Sequence, residues 1–164
     1  MIQADALFEA HLTTTDLNRA IAFYRDILGL RLAHVAASRQ AAFFWIGSAG
    51  NGMLGLWVSG PAPQRLTSHT AFRTSLADVR DAPRILGAAG ITPLDFDGRP
   101  TDHPVVLAWM PAAAVYFRDP DGNLLEYLAM LPQEPRPEYG IVPWGMWEVL
   151  TGGVPVPELS WTTA

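Results

Sequence analysis

The order of secondary-structure elements predicted from the sequence occurs twice along the chain. In the first half, a strand at Leu7–Thr13 leads to Asp16, a natural helix N-cap, and apolar residues follow at helical spacing as far as Gly29. Further strands are predicted at 30–35, 41–46 and 53–58. The first half therefore has the order strand, helix and three strands, or βαβββ.

The second half repeats this order after a linker rich in glycine and proline, SGPAPQ. A strand at Ser68–Thr74 precedes a helix at Asp78–Ala89, in which Pro83 is expected to be tolerated only in the first turn. A loop is predicted at 97–111. The remaining strands are predicted at 91–96, 113–117 and 123–130.

A small sheet covered by one helix leaves its other face bare, so we expect the two modules to curl together around a shared cleft. The predicted fold is α+β, with βαβββ modules at 1–60 and 61–131 forming a curled mixed sheet around that cleft. The remaining segment, 132–164, is rich in proline and is expected to be extended. It must dock on the body or on a partner subunit to bury its tryptophans, Trp144, Trp147 and Trp161.

Charge and composition restrict the possible partners and chemistry. A net charge of −5 argues against a broad grip on nucleic acid or on a membrane surface, and leaves small-molecule substrates open. The chain contains no cysteine, and all 11 of its Lys and Arg residues are arginines, so thiolate and lysine chemistry are excluded. No signal-peptide pattern opens the sequence, which predicts a cytoplasmic protein.

Several polar residues lie within the predicted strands. Glu9 and His11 are two positions apart and therefore share a face, His69 comes early in the matching strand of the second module, and Glu126 lies among apolar residues of the last strand. Imidazole and carboxylate groups converging from separate strands suit divalent Mn, Fe, Co, Ni or Zn. Taken singly, Glu126 is as consistent with a solvated strand face, and His69 with a hydrogen-bonded core or rim histidine.

Three stretches together resemble one known family. They are TDLNRAIAFYRDILGL at Thr15–Leu30, HTAFRTSLAD at His69–Asp78 and YFRDPDGNLLEYL at Tyr116–Leu128. These motifs are similar to those of the vicinal-oxygen-chelate superfamily, which includes glyoxalase I, fosfomycin-resistance thiol transferases, extradiol dioxygenases and bleomycin-resistance proteins. The resemblance implies paired βαβββ modules, often in dimers, and a divalent metal in the cleft.

The resemblance assigns metal ligands residue by residue. His69 and Glu126 match the family's ligands in the second module, both in position and in residue type. The first-module ligand falls on Glu9, where the family usually has histidine, while His11 lies two residues further on the same face. Either Glu9 binds the metal and His11 contacts the substrate, or a shift of two residues brings His11 to the metal.

Other residues gain candidate roles from their chemistry and their positions in the predicted strands and loop. Tyr116 is expected to donate a hydrogen bond or a proton to the bound oxyanion, although a structural tyrosine is an equal alternative. Arg73 is a candidate for holding an anionic group of the substrate or for pairing with Glu9. Trp57 is a candidate for lining the pocket, with core packing as the alternative. His103 is a candidate second acid/base on a loop that acts as a lid, with a mobile, solvent-facing histidine as the alternative.

Two features of related enzymes are missing. The strand MLGLWV lacks the carboxylate that acts as proton-transfer base in glyoxalase I, and Gly55 stands near that place. The lysine of the fosfomycin-resistance enzymes is also absent. The prediction is therefore a metal-dependent lyase, isomerase, thiol transferase or dioxygenase that acts on a small oxygenated molecule. The alternatives are a metal-free sequestering protein and a non-catalytic partner that docks through its tryptophan-rich tail.

Overall fold

Two separate β-sheets with accompanying helices make up the chain in this computed structural model, which describes residues 7–58 and 67–152. The predicted linker SGPAPQ and Trp161 lie outside the described residues. The sheets contain four and five strands, and helices accompany both of them. The α+β class predicted from the sequence is confirmed.

The chain divides into two compact units, one formed by Met1–His69 with Arg118–Leu124 and the other by Thr70–Phe117 with Leu125–Ala164. The helices are α1 (Leu17–Ala22, continued by a π-helical turn at Phe23–Ile27), α2 (Leu76–Ala88) and α3 (Trp144–Leu150). The strands are β1 (Glu9–Thr14), β2 (Arg31–Ala36), β3 (Ala41–Trp45), β4 (Met53–Val58), β5 (His69–Arg73), β6 (Val105–Leu107), β7 (Ala112–Arg118), β8 (Leu124–Met130) and β9 (Ile141–Pro143).

The first sheet has the strand order β1-β4-β3-β2, with β1 parallel to β4 and the other neighbours antiparallel. Its register places Leu12 beside Leu56 and His11 beside Gly55. Because side chains alternate along each strand, one face carries the buried leucines and the other carries His11. The buried face lies in the core of the first unit, which includes Leu12, Ala20, Tyr24, Phe44, Leu54 and Leu56.

The helix after β1 begins and ends where the sequence predicts. Asp16 is the N-cap, and its carboxylate accepts a hydrogen bond from the backbone N–H of Arg19 at 3.0 Å. The last turns widen, so that the N–H of Leu28 bonds to the carbonyl of Phe23 at 3.1 Å. Gly29 then adopts a φ of +70°, a left-handed conformation that glycine takes without strain.

The second sheet has the order β5-β8-β7-β6-β9. Its helix, α2, starts earlier than predicted, because the Ser75 hydroxyl caps it by accepting from the N–H of Asp78 at 3.1 Å. Pro83 lies well inside α2, so its predicted restriction to the first turn is wrong. An interior proline costs a free helix about 3 kcal/mol, and Pro83 is one of the buried residues of α2.

The prediction of a strand at Ile91–Phe96 is wrong. In that segment only Leu94 forms β-bridges. Pro93 has no N–H to donate to a neighbouring strand. After Leu94 the chain reverses direction, and the N–H of Asp95 donates to the carbonyl of Arg99 at 2.8 Å. The strand of this module is instead β6, within the predicted loop at 97–111, where it pairs with β7.

The segment after β8 adds a strand and a helix to the second unit. β9 pairs antiparallel with β6, and α3 follows it directly. The exposed fraction of Trp144 is 8% and that of Trp147 is 1%, and the Arg80 guanidinium lies 5.3 Å from the Trp144 ring centroid. An extended tail was predicted from its prolines, but Trp144–Leu150 contains none and forms a helix.

The longest helix of the described residues is α2, with 13 residues. A helix needs about 20 apolar residues to cross a bilayer. Among the described residues, no helix is both long enough and apolar enough to do so.

Candidate functional site

The side chains of Glu9 and His11 are in contact on the face of the first sheet that carries no buried leucines. The distance between Glu9 Oε1 and His11 Nε2 is 3.0 Å, and both side chains are partly exposed, at 37% and 46%. Both residues lie on β1 two positions apart, so the alternation of side chains places them on one face, as the sequence predicts. An imidazole nitrogen and a carboxylate oxygen thus lie side by side at the surface of the first unit.

The position of the His11 ring depends on a glycine in the neighbouring strand. Gly55 is the register partner of His11, and a Cβ atom added there would lie 3.0 Å from His11 Cδ2 and 3.2 Å from Phe43 Cε1. The His11 ring stacks on Trp57 with centroids 5.6 Å apart, and the edge of Phe43 meets it at 6.2 Å. We call His11, Phe43 and Trp57 the ring cluster. The missing side chain at Gly55 leaves the space in which the cluster packs.

Glu126 is enclosed in the second unit, with 4% of its surface exposed. The alternative of a solvated strand face for this residue is therefore wrong. The Tyr116 hydroxyl donates a hydrogen bond to Glu126. The pKa of Tyr116 is raised, first by burial and then by the negative charge of Glu126 and the hydrogen bond to it. The phenol is therefore protonated at neutral pH and acts as a donor to the carboxylate.

The remaining candidates lie in more open positions. His69 is the first residue of β5 and Arg73 the last, and both are exposed. His103 is 76% exposed in the loop before β6, with Nε2 3.5 Å from Oδ1 of Asp102. Trp57 is half-buried in the ring cluster.

The structure thus brings the candidate residues together as two pairs, Glu9 with His11 and Tyr116 with Glu126. Within residues 7–58 and 67–152, no three His, Asp or Glu side chains form a group that could hold a metal ion. Each pair combines a carboxylate with a second polar side chain.

The turn of the DPDGN stretch holds a buried network that the sequence did not predict. The Asp119 carboxylate accepts from the Tyr24 hydroxyl at 3.0 Å, from Asn123 Nδ2 at 2.7 Å and from the N–H of Asn123 at 2.8 Å. Asp119 is 7% exposed and Asn123 1%. The spacing of residues within the stretch cannot indicate this network, because the partner Tyr24 is far away along the chain.

The second aspartate of this turn binds the start of α1. The carboxylate of Asp121 accepts from the hydroxyl of Thr14 at 2.6 Å, from the N–H and hydroxyl of Thr15 at 3.1 and 2.8 Å, and from Arg19 Nη2 at 2.8 Å. Both aspartates are thus surrounded by hydrogen-bond donors. The turn is therefore a structural clasp within the first unit.

A family model matches residues 6–127, and its description is the glyoxalase/bleomycin resistance protein/dioxygenase superfamily. The match covers most of the chain and includes both pairs of candidate residues. The fold is that of the vicinal-oxygen-chelate proteins, and the chain belongs to the glyoxalase/bleomycin resistance protein/dioxygenase superfamily. The family predicted from the three sequence motifs is confirmed.

Several solved structures are similar to this chain in fold. An integron cassette protein from the mobile metagenome of the Halifax Harbour sewage outfall is 27% identical, with a TM-score of 0.67 over 77% of this chain and 100% of the other. Lactoylglutathione lyase from Agrobacterium tumefaciens is 27% identical, with a TM-score of 0.58 over 77% of this chain and 94% of the other. A glyoxalase/bleomycin resistance protein/dioxygenase from Nocardioides is similar in fold, at 24% identity and a TM-score of 0.60 over 82% and 89%.

Proposed function

We propose that this protein is a divalent-metal-dependent enzyme acting on a small oxygenated substrate, with metal ligands drawn from Glu9 or His11, His69 and Glu126. The burial of Glu126 carries this proposal. An enclosed carboxylate is costly unless it is hydrogen-bonded and paired or bound to a cation. Tyr116 donates a hydrogen bond to this carboxylate. A bound cation would stabilise the enclosed carboxylate further, at the position where the family resemblance assigns a ligand.

The donor groups of the first module fit the same ion. Imidazole and carboxylate suit Mn, Fe, Co, Ni and Zn, and the metal identity is left open. Two neighbouring ligands about 2.1 Å from one ion and at right angles to each other are about 3 Å apart. The 3.0 Å separation of Glu9 Oε1 and His11 Nε2 agrees with that value. A hydrogen-bonded contact between a carboxylate and an imidazole has the same separation. The distance therefore does not distinguish between Glu9, His11 or both as the first-module ligand.

A bound ion and the side chains around it would have different roles in the reaction. When bound, a divalent ion polarises adjacent oxygens of a substrate and stabilises the negative charge that develops on them. The ring cluster offers an apolar wall that excludes water from one side of the substrate. Arg73 is an exposed positive charge for an anionic group, and His103 an exposed imidazole on its loop. These roles suit a lyase, isomerase, thiol transferase or dioxygenase.

A metal-free sequestering protein is the second candidate, and the ring cluster is the observation that favours it. His11, Phe43 and Trp57 are partly exposed, and exposed aromatic surface commonly marks a binding site. A sequestering protein would bind its ligand through these rings and would not need Glu126. Dependence of ligand binding on added metal therefore separates the two functions.

Metal analysis tests the proposal. The purified protein is dialysed against Mn²⁺, Ni²⁺ or Zn²⁺ and its metal content is compared with that of His69→Ala and Glu126→Gln. The matched controls are His103→Ala and Glu138→Gln, which alter exposed side chains. We expect stoichiometric metal in the wild type and controls and a loss in both test variants. Equal, weak binding by all five proteins would reject the metal-dependent function.

We also propose that the chain forms a homodimer, as the family resemblance implies. The predicted tail contributes β9 and α3 to the second unit, and α3 leaves Met146 and Val149 53% and 80% exposed. Light scattering of the full chain and of a chain ending at Leu131 measures the mass of each. An unchanged, folded dimer without the tail would show that self-association does not need it, and a monomeric full chain would contradict the dimer.

A further inference from the structure

Tyr116 is held in place from several sides. Its N–H donates to the carbonyl of Leu94 at 3.0 Å, and its own carbonyl accepts from the N–H of Leu94 at 2.7 Å. The Phe96 ring meets the phenol edge to face, with centroids 6.0 Å apart. Only 4% of Tyr116 is exposed. Backbone and ring contacts together fix where the hydroxyl can point.

The hydroxyl donates a hydrogen bond to the carboxylate of Glu126. β7, which carries Tyr116, and β8, which carries Glu126, are neighbours in the second sheet. A phenol has a single proton to donate. A proton shared with an enclosed carboxylate is not available to a substrate oxygen at the same time.

We propose that Tyr116 is a positioning residue that fixes the orientation of Glu126 for metal binding, and that it does not act as the proton donor to the substrate. This inference rests on the proposed function, because it takes Glu126 as a metal ligand. The hydrogen bond restricts the rotation of the carboxylate and engages one of its acceptor sites. Groups that orient metal ligands in this way typically change metal affinity by about 10- to 100-fold.

The test is the affinity for Mn²⁺, measured from the electron paramagnetic resonance signal of the free ion. Tyr116→Phe removes one oxygen atom and keeps the ring, so we expect binding to weaken by about 10- to 100-fold. Tyr127→Phe is the matched control, because Tyr127 is adjacent to Glu126 but packs its ring against Phe117, 4.8 Å between centroids. That control should bind Mn²⁺ as the wild type does.

The double variant separates positioning from a general effect on the fold. In a Glu126→Gln background, Tyr116→Phe should cause no further weakening, because the group that it orients is gone. An equal weakening in both backgrounds would overturn the inference, and so would wild-type affinity in Tyr116→Phe. Glu126→Asp tests whether the position of the carboxylate matters. It keeps the charge but withdraws the carboxylate by one methylene, and it should weaken Mn²⁺ binding as Tyr116→Phe does.

The outcomes also separate this inference from the proposed function. If Glu126→Gln binds Mn²⁺ as tightly as the wild type, Glu126 is not a ligand, and both the function and the inference fail. If Glu126→Gln loses affinity while Tyr116→Phe keeps it, only the inference fails.

Discussion

Replacing Asp121 with asparagine should destabilise the first unit through the clasp at the start of α1. Oδ2 of Asp121 accepts from Thr14 at 2.6 Å, while Oδ1 accepts from Thr15 and from Arg19. Asparagine keeps one oxygen but presents an amide N–H₂ to donors on the other side. The loss of one charge-assisted hydrogen bond costs about 1.5–3 kcal/mol. Loss of the partly exposed Arg19 pair adds at most about 1 kcal/mol, so the total is about 1.5–4 kcal/mol.

The effect should depend on pH. Burial raises the pKa of Asp121, but the hydrogen bonds from Thr14 and Thr15 and the charge of Arg19 outweigh it, so the pKa is lowered from its usual value of 3.8. A carboxyl whose folded-state pKa is lowered stabilises the protein above its unfolded-state value, and this stabilisation is lost as the pH falls through the folded-state value. The difference between wild type and Asp121→Asn should therefore be largest near neutrality and shrink below about pH 4.

Urea unfolding followed by tryptophan fluorescence at pH 7 and pH 3 measures both effects. Asp26→Asn is the matched control, since this carboxylate is 53% exposed and pairs with the adjacent Arg25. It should unfold at the wild-type midpoint at pH 7. The reasoning would be refuted if Asp121→Asn unfolded like the control, or if its deficit stayed constant between the two pH values.

Three further substitutions test individual contacts. Gly55→Ala places a Cβ 3.0 Å from His11 Cδ2, so the ring should move off Trp57 and its NMR proton signals should lose their ring-current shift, with little change in stability. Tyr24→Phe removes a donor to the enclosed Asp119, and the free energy of unfolding in urea should fall by about 1.5–3 kcal/mol. Trp147→Ala removes a ring that is 1% exposed and should lower the free energy of unfolding by about 3–5 kcal/mol.

Each of these substitutions has a control or a contradicting result. Gly52→Ala meets only ordinary contacts, the nearest being the Phe8 carbonyl oxygen at 3.4 Å, so it should leave the His11 signals in place. Trp109→Ala alters a ring that is 53% exposed and should cost far less than Trp147→Ala. Equal costs for the two tryptophans would contradict the burial of α3, and unchanged stability in Tyr24→Phe would contradict its bond to Asp119.

Local signals account for the parts of the fold that the sequence predicted. β4 has the predicted bounds because a Gly-rich turn precedes it, and α1 is marked by the Asp16 cap and by Gly29. β6 was missed because it has only three residues and is stabilised by β7 and β9, which are distant along the chain. Pairing of this kind leaves no periodic pattern within the strand itself.

The candidate site also combines features that follow from one strand with features that depend on contacts between strands. The shared face of Glu9 and His11 follows from the two-residue period of β1. The space at Gly55 depends on the register between β1 and β4, and the burial of Glu126 depends on neighbours from other strands. Neither can be obtained from the spacing of residues within a single strand.

Anomalous X-ray diffraction from crystals soaked with Mn²⁺ or Ni²⁺ would locate a bound metal ion. We expect a peak about 2.0–2.2 Å from a Glu126 oxygen and a His69 nitrogen, with Glu9, His11 or both completing the protein ligands. No peak, or a peak that contacts neither Glu126 nor His69, would contradict the metal-dependent function.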